Sequence, residues 1–268
     1  MTKLSIIIVN YNGEGYLKAC FDSIYYHCKG FSFEIIVVDN NSSDKSVSII
    51  ETEYPNIQLI KNKKNTGFAA ANNTGAAQAK GDFILLLNND TLLIENIKPA
   101  IDLLDSNQEI GIIGIKMLDG QNKFTASFGK FPKPYNFLKL KTLQINLSEI
   151  NQKISNSQTE YVDVDWISGA FLLTTKEIWN QVNGLDESYF MYVEDVDFNK
   201  KVQALDKKSV FISSLRFTHY VGFNKNREKL LINSYKTYIR KHKRGFNKWL
   251  SLFFLNINLF YKKVFKQI

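Results

Sequence analysis

Three carboxylates in this sequence stand where a rigid backbone could present them for chemistry: Asp39, Asp90 and Asp195. Asp39 opens the run Asp39-Asn40-Asn41-Ser42, and Asp90 closes Asn88-Asn89-Asp90. A third polar cluster, Asn10-Tyr11-Asn12, comes before both. An acid at the end of a buried strand can accept hydrogen bonds from a ribose hydroxyl or a base N–H, and Asp39 is placed for that task. Asp90 offers hard oxygen to a divalent ion bridging phosphates. His219, in Thr218-His219-Tyr220, could add an imidazole ligand. Glu194-Asp195-Val196-Asp197 follows the aromatic run Tyr189, Phe190, Tyr192. Acids crowded beside apolar rings gain proton affinity, which suits a general base.

Each of these residues also has a plainer reading. Asn, Ser and Asp make turns. Asp90 could cap a helix starting at Leu92. Asp195 and Asp197 could open a helix with a cap and an acidic first turn, and a lone histidine can be purely structural. One polar loop would mean little; three on one edge of a sheet point to a nucleotide.

The elements that must position these groups alternate. Leu4–Asn10 is a continuous apolar run, as a strand buried on both faces requires. Leu17, Cys20, Phe21 and Ile24 follow at helical spacing. Phe33–Asp39 is a second strand, with a helix from near Ser46. Ile57–Lys61, a helix over Phe68–Ala79 and a strand at Phe83–Leu87 complete the pattern. This predicts an α/β fold whose first ~110 residues form a parallel sheet with helices on both faces. Ile110–Lys116 suggests another strand. Gln121–Glu160 is polar, dotted with aromatics and contains Pro132 and Pro134, and is predicted to be a mobile excursion. Order returns with Tyr161–Thr174, helices near Thr175–Val182 and Val196–Ala204, and a strand near Ser209–Ile212.

Composition excludes several classes. The chain has 268 residues, two cysteines and a net charge of +8. Two cysteines without a C-x-x-C pair exclude a disulfide-stapled fold and a zinc or redox pair; Cys20 and Cys28 are expected as reduced thiols in a cytosolic chain. The apolar run Leu4 to Val9 is too short for a signal peptide. Gly13-Glu14-Gly15 begins a dinucleotide fingerprint that fails at Lys18, and no phosphate-binding G-x-x-x-x-G-K-[ST] occurs. From Lys225 to Ile268 there are 12 Lys+Arg and one acid, Glu228, a balance of +11; the preceding 224 residues hold 22 bases and 25 acids, a balance of −3. A nucleic-acid footprint would have to lie on this tail alone, so no nucleic-acid partner is expected. Lys229, Lys236, Arg240 and Lys243 share one helix face. After Gly245, the stretch Trp249–Tyr261 is apolar apart from Ser251, Asn256 and Asn258. Thirteen residues cannot cross a core needing ~20. With Lys248, Lys262, Lys263 and Lys266 flanking it, the segment suits the interface of an anionic membrane. The alternative is a C-terminal helix packed on the body with a solvated basic face.

Taken together, SIIIVNYNG, VVDNNSSD, KNTGFAAANNTG, LLLNND and DWISGAFLLTTKEIWNQVNGLDESYFMYVEDVDF, followed by His219, resemble the family 2 glycosyltransferases, and within them the branch of rhamnosyltransferases. The stretches span about Leu4 to Gly222 in the family's order and spacing. The resemblance implies a GT-A type fold and an inverting sugar transfer, leaning to rhamnose, from a nucleoside diphosphate donor to an acceptor hydroxyl. On this sequence it implies that Asn10, Tyr11, Asn12, Asp39 and Ser42 line the base and ribose. Asn65, Gly67 and Asn72 lie near the ribose and diphosphate, and Asn89 and Asp90 also belong to the donor site. Asp90 and His219 hold Mn2+ or Mg2+, Trp166, Ser168, Gly169 and Ala170 with Glu194 form the sugar and acceptor wall, and Asp195 is the base. The family's metal motif often carries two acids; here the first position is Asn88.

These expectations combine into a single catalytic domain over 1–224, with a nucleotide-sugar half (1–110), an acceptor half (111–224) and a basic amphipathic tail (225–268). The acceptor is expected to be a lipid-linked or cell-surface glycan, with the protein peripheral on the inner face of the membrane. A catalytically silent nucleotide-sugar or glycan binding module is the competing reading; it would bind donor without turnover.

Overall fold

The computed structural model describes residues 3–143, 145, 148–149, 160–220 and 227–265. Its first half is built as the apolar runs demand. Strands β1 (Leu4–Asn10), β2 (Phe33–Asp39), β3 (Gln58–Lys61) and β4 (Phe83–Leu87) pair in parallel in the order β3-β2-β1-β4. Alternate residues point to opposite faces. Ile6, Ile8, Val37 and Leu85 therefore join one core cluster, while Ile7, Ile36, Ile84 and Leu86 join another. Helices α1 (Leu17–His27), α2 (Ser46–Glu53) and α3 (Phe68–Ala76) connect the strands. Because β1 and β2 run in register, Asn10 faces Asp39 at their carboxyl ends.

The second half continues the same sheet by non-sequential pairing. Helix α4 (Lys98–Ser106) precedes β6 (Ile110–Leu118). Strand β11 (Phe171–Thr175) enters antiparallel between β4 and β6. Strand β12 (Lys208–His219) lies parallel to β6 with a register shift between Ile212 and Arg216, and β5 (Thr91–Leu93) closes the edge by pairing antiparallel to β12. The strands β7 (Phe124–Thr125) and β9 (Tyr161–Val164) branch from β6 and β12, and β8 (Phe128–Gly129) with β10 (Trp166–Ile167) forms a separate two-stranded sheet. Helix α5 (Lys176–Gln181) starts where Thr175 Oγ1 accepts the Ile178 N–H at 3.1 Å. Helix α6 (Glu194–Gln203) carries the acidic cluster, and α7 (Arg227–His242) and α8 (Gly245–Val264) end the chain.

Several expectations need correction. No helix starts at Leu92: Thr91–Leu93 is a strand and α4 begins at Lys98, so Asp90 caps nothing there. The strand expected at Ser209–Ile212 runs to His219, because the chain resumes pairing after an irregular step at residues 213–215. Within Gln121–Glu160, the described residues hold β7, β8 and two tight helical turns at Pro134–Leu138 and Leu140–Leu143, with Phe128 and Phe137 fully buried; residues 144, 146–147 and 150–159 lie outside the described residues. Of the basic tail, residues 225–226 and 266–268, including Lys266, also lie outside them. Helix α3 stops at Ala76, three residues short of the predicted end.

Candidate active site

The polar loops converge on the carboxyl edge of the sheet, held together by their own amides. Asn10 Nδ2 donates to Asp39 Oδ1 at 2.8 Å and to Ser42 Oγ at 3.1 Å, and Asn89 Nδ2 donates to Asn10 Oδ1 at 2.8 Å. Ser42 donates its backbone N–H to Asp39 Oδ2 and its hydroxyl to Asp39 Oδ1, at 2.9 and 2.5 Å. Ser42 Oγ in turn accepts the Asn12 N–H at 2.9 Å. Asp39 is thus a buried carboxylate oriented by three donors, with a lone pair of Oδ2 still open to a ligand. Both donors of the fully buried Asn10 amide are occupied, so this residue fastens the three loops. Tyr11, 53% exposed, presents its ring at the rim where a base could stack. Asn12 turns the chain in the left-handed region, a conformation asparagine tolerates.

Close approach of backbones explains the glycines here. A Cβ on Gly13 would lie 2.2 Å from Asn89 Nδ2 and 2.4 Å from Asn10 Oδ1. Gly67 has φ 86°, and a Cβ there would meet the Phe190 carbonyl at 2.3 Å. That contact is where the two halves of the site meet, because the Phe68 N–H donates to Phe190 O at 2.8 Å. Asn65 Oδ1 accepts the Gly67 N–H at 2.9 Å, which fixes the turn into α3. Asn72 is buried within α3 and donates to Phe68 O at 2.9 Å.

Asp90 and His219 are brought together by the β5–β12 pairing. Asp90 Oδ1 lies 3.0 Å from His219 Nε2, both side chains being partly buried, and Asn88 Nδ2 lies 3.1 Å from the same nitrogen. Two ligands on one small divalent ion, each at about 2.1 Å, stand about 3 Å apart. The pair therefore fits a cation as a two-donor site. Among the described residues there is no group of three or more His, Cys, Asp or Glu side chains that could hold a metal. Other ligands of such an ion would come from a donor diphosphate and water.

The acidic cluster begins α6 after two consecutive residues in the left-handed region, Tyr192 and Val193, both at φ 71°. For a β-branched valine this costs about 1–3 kcal/mol, a strain characteristic of functional turns. The helix opens with Glu194, Asp195 and Asp197 in its first turn, with Val193 rather than an acid at the cap. Asp195 is partly buried, accepts the Gly169 N–H through Oδ2 at 3.1 Å and bonds the Val196 N–H through Oδ1 at 2.8 Å. Burial raises its proton affinity, while those N–H groups counteract part of the shift. Glu194 is 4% exposed, and its Oε2 has no hydrogen-bond partner. Burial, then the neighbouring Asp195 charge, pushes its carboxyl well above the usual range.

Two hydrogen bonds tie the opposite ends of the site together. The Asn88 N–H donates to Ala170 O at 3.1 Å, and the Gly169 N–H reaches Asp195. Ser168 is anchored through its N–H to Ser127 O at 2.7 Å, and Trp166 Nε1 donates to Lys130 O at 3.1 Å. Sequence reasoning missed Asn199, fully buried, which donates to Asp195 O at 2.7 Å and Ile167 O at 3.0 Å while accepting the Ile167 N–H at 3.1 Å. It also missed Asn40, whose amide ties Gly67 O, Asn62 and Thr66 to the end of β2. Helical spacing places Asn199 four residues from Asp195, but only the fold shows that Asn199 meets β10 and Asp195 the turn just after it. Cys20 and Cys28 are buried, free thiols, each pushed up to about 12 by burial, and Cys20 Sγ donates to Asn88 O at 3.7 Å.

Comparisons with known proteins bear on the family and the fold. The rhamnosyltransferase WbbL of Escherichia coli K12 is 27% identical over 224 residues, covering 80% of this chain and 82% of its own. An N-acetylglucosaminyl-diphospho-decaprenol L-rhamnosyltransferase of Mycobacterium tuberculosis is 23% identical over 241 residues, covering 84% and 78%. Among solved structures, Staphylococcus aureus TarS in complex with UDP matches with a TM-score of 0.59 at 19% identity, over 97% of this chain and 72% of that one. GalNAc-T7 with UDP, GalNAc and Mn2+ matches with a TM-score of 0.65 at 17% identity, over 83% and 44%. These structural likenesses establish the GT-A type fold. The family model described as glycosyl transferase family 2 matches residues 5–155, and with the fold and the converging edge loops this makes the chain a family 2 glycosyltransferase, similar to rhamnosyltransferases.

Proposed function

We propose that this enzyme transfers a sugar, with rhamnose favoured, from a nucleoside diphosphate donor to a hydroxyl of a lipid-linked or cell-surface glycan, inverting the anomeric centre. The observation that carries this reading is the pair of hydrogen bonds linking the Asp90 loop, through Ala170 and Gly169, to Asp195. A donor-side carboxylate and a candidate base are thereby held on one rigid edge. Asn10, Asn12, Asp39 and Ser42 shape the base and ribose site beneath Tyr11, and Asn65, Gly67 and Asn72 set the turn and helix beside the diphosphate. Asn89 braces Asn10, and Trp166, Ser168, Gly169, Ala170 and Glu194 form the acceptor wall.

In the transfer, the acceptor oxygen attacks the anomeric carbon as the bond to the diphosphate oxygen breaks. The nucleoside diphosphate leaves with the electron pair, and the acceptor proton passes to Asp195. The raised proton affinity of Asp195 suits it to accept that proton. A divalent cation, Mn2+ or Mg2+, held by Asp90 and His219 would neutralise charge on the departing diphosphate. Two protein donors make a weak site, so its affinity rises with the bound nucleotide. Residues 1–224 act as the catalytic domain, divided near residue 110 into donor and acceptor halves, and the enzyme works peripherally on the cytoplasmic face of the membrane through residues 225–268. The UDP and lipid-linked substrate names of the relatives support the donor and acceptor classes.

Thermal-shift binding to dTDP, UDP and GDP, each with Mn2+ and with EDTA, tests the donor site. Stabilisation by one nucleotide that weakens in EDTA is the expected result. Equal stabilisation in EDTA would remove Asp90 and His219 as metal ligands, and no response to any nucleotide would contradict the donor reading.

A further inference from the structure

Helix α8 meets the protein through a mixed face, with Leu252 and Phe254 packed partly buried against the core cluster that holds Leu255. Ser251, Leu255 and Asn258 are buried, and Asn258 Nδ2 donates to the Phe137 and Leu138 carbonyls at 3.1 and 2.7 Å. The opposite side carries Phe246, Trp249, Phe253, Ile257, Phe260 and Val264, spaced by three or four residues, so they form one stripe along about five turns. All six are exposed, Phe246 and Phe260 at 71% and Trp249 at 58%. An ordinary surface helix turns a polar face outward instead. A continuous apolar stripe of this length facing water marks a surface that a partner covers.

We infer that this stripe of α8 lies in the headgroup boundary of an anionic lipid bilayer, and that it, rather than the basic face of α7, is the membrane-contacting surface. The charges around it select the occupant. Exposed Arg244 and Lys263 stand at its two ends. The one acid from residue 225 onward, Glu228, is engaged by Lys262. A second copy packed on the stripe would oppose cation to cation with no free acid to compensate, whereas anionic headgroups supply the missing charge. Flat aromatic side chains suit that depth. Among the described residues no helix is long and apolar enough to cross a membrane, so the helix lies along the surface. By contrast α7 turns Ile232, Tyr235, Tyr238 and Ile239 into the protein.

The mounting also orients the enzyme. Leu255 shares a hydrophobic cluster with Tyr235, Tyr238, Val193 and Val196, and Trp166 packs against the same cluster. Val193 and Val196 flank the Glu194–Asp195 pair, so the surface bearing the stripe is fastened to the acceptor side of the site. This orientation rests on the acceptor reading above; the lipid binding itself does not.

The test is flotation of the full chain with phosphatidylcholine vesicles, with and without phosphatidylglycerol, for the wild type and a variant carrying Phe246→Ser, Trp249→Ser, Phe253→Ser and Phe260→Ser. These side chains are exposed, and an unchanged thermal shift with nucleotide verifies the fold. The wild type is expected to float with the anionic vesicles, the variant to partition about tenfold less or weaker still, and brominated acyl chains to quench wild-type Trp249. Failure of the wild type to float, equal flotation of the variant, or a wild-type dimer that the variant abolishes without any vesicle binding would each overturn the inference. Loss of nucleotide response with flotation intact would instead strike the donor reading alone.

Discussion

At the residue scale, Asp195 and Glu194 are adjacent in sequence but have different surroundings. Asp195 has N–H donors from Gly169 and Val196, whereas Glu194 Oε2 is buried without any. Both carboxyls are pushed up chiefly by burial, and the N–H donors on both oxygens of Asp195 favour its charged form, which suits it to serve as the proposed base. Turnover should therefore fall as pH drops through a midpoint above the ordinary aspartate range, which a pH profile of kcat/KM with saturating cation would show. Stability carries the opposite sign. The folded state binds the Glu194 proton more tightly than the unfolded chain, so this contribution is fully present below the ordinary glutamate pKa and lost as pH rises through the folded value. Glu194→Gln, which has no charge to bury, should raise the melting temperature relative to wild type increasingly as pH rises through that window. The acids were legible in sequence because they follow an aromatic run. The two left-handed residues before them were not, since neither Tyr192 nor Val193 is a type that announces positive φ.

At the element scale, the helix that carries the proposed base is held by an asparagine rather than by its cap. Val193 offers no side-chain acceptor, so Asn199 secures α6 to β10 through two hydrogen bonds to Ile167, makes a third to Asp195 O within its own helix, and receives a fourth from Ser209 at 2.7 Å. Asn199→Ala would strand the buried Ile167 N–H and C=O at a cost of about 1–3 kcal/mol for each unsatisfied group. It should lower kcat while leaving nucleotide binding unchanged, separable by turnover and thermal-shift measurements on the same sample; a matching loss of nucleotide binding would refute the positioning role. The strands β1, β2 and β4 were legible because a strand covered on both faces is apolar throughout. Strand β5 was not: three residues carry no periodicity, and its pairing with β12 joins positions more than a hundred residues apart. That same distant pairing is what brings His219 to Asp90. The antiparallel entry of β11 between β4 and β6 is likewise a long-range fact that local pattern does not encode.

At the scale of the whole molecule, the basic C-terminal segment is attached to α6. His242 Nε2 lies 2.7 Å from the buried Asp197 Oδ1, which the Tyr189 hydroxyl also reaches at 3.2 Å, and Lys241 pairs with Asp186. Charge counting located the excess basicity there, and the apolar stretch after Gly245 was evident. Which side of that helix faces outward depends on Asn258 finding the carbonyls of Phe137 and Leu138, partners supplied by a segment whose polar, proline-containing sequence gave no sign of packing. The proposed donor loops, the proposed base and the candidate lipid-facing helix thus belong to one connected framework. The most direct test is Asp195→Asn, assayed for sugar transfer and, in parallel, for nucleotide binding. Retained nucleotide stabilisation is expected, with kcat lowered about 10²–10⁴-fold, the usual contribution of a positioned general base. Full turnover in a folded Asp195→Asn enzyme would contradict it.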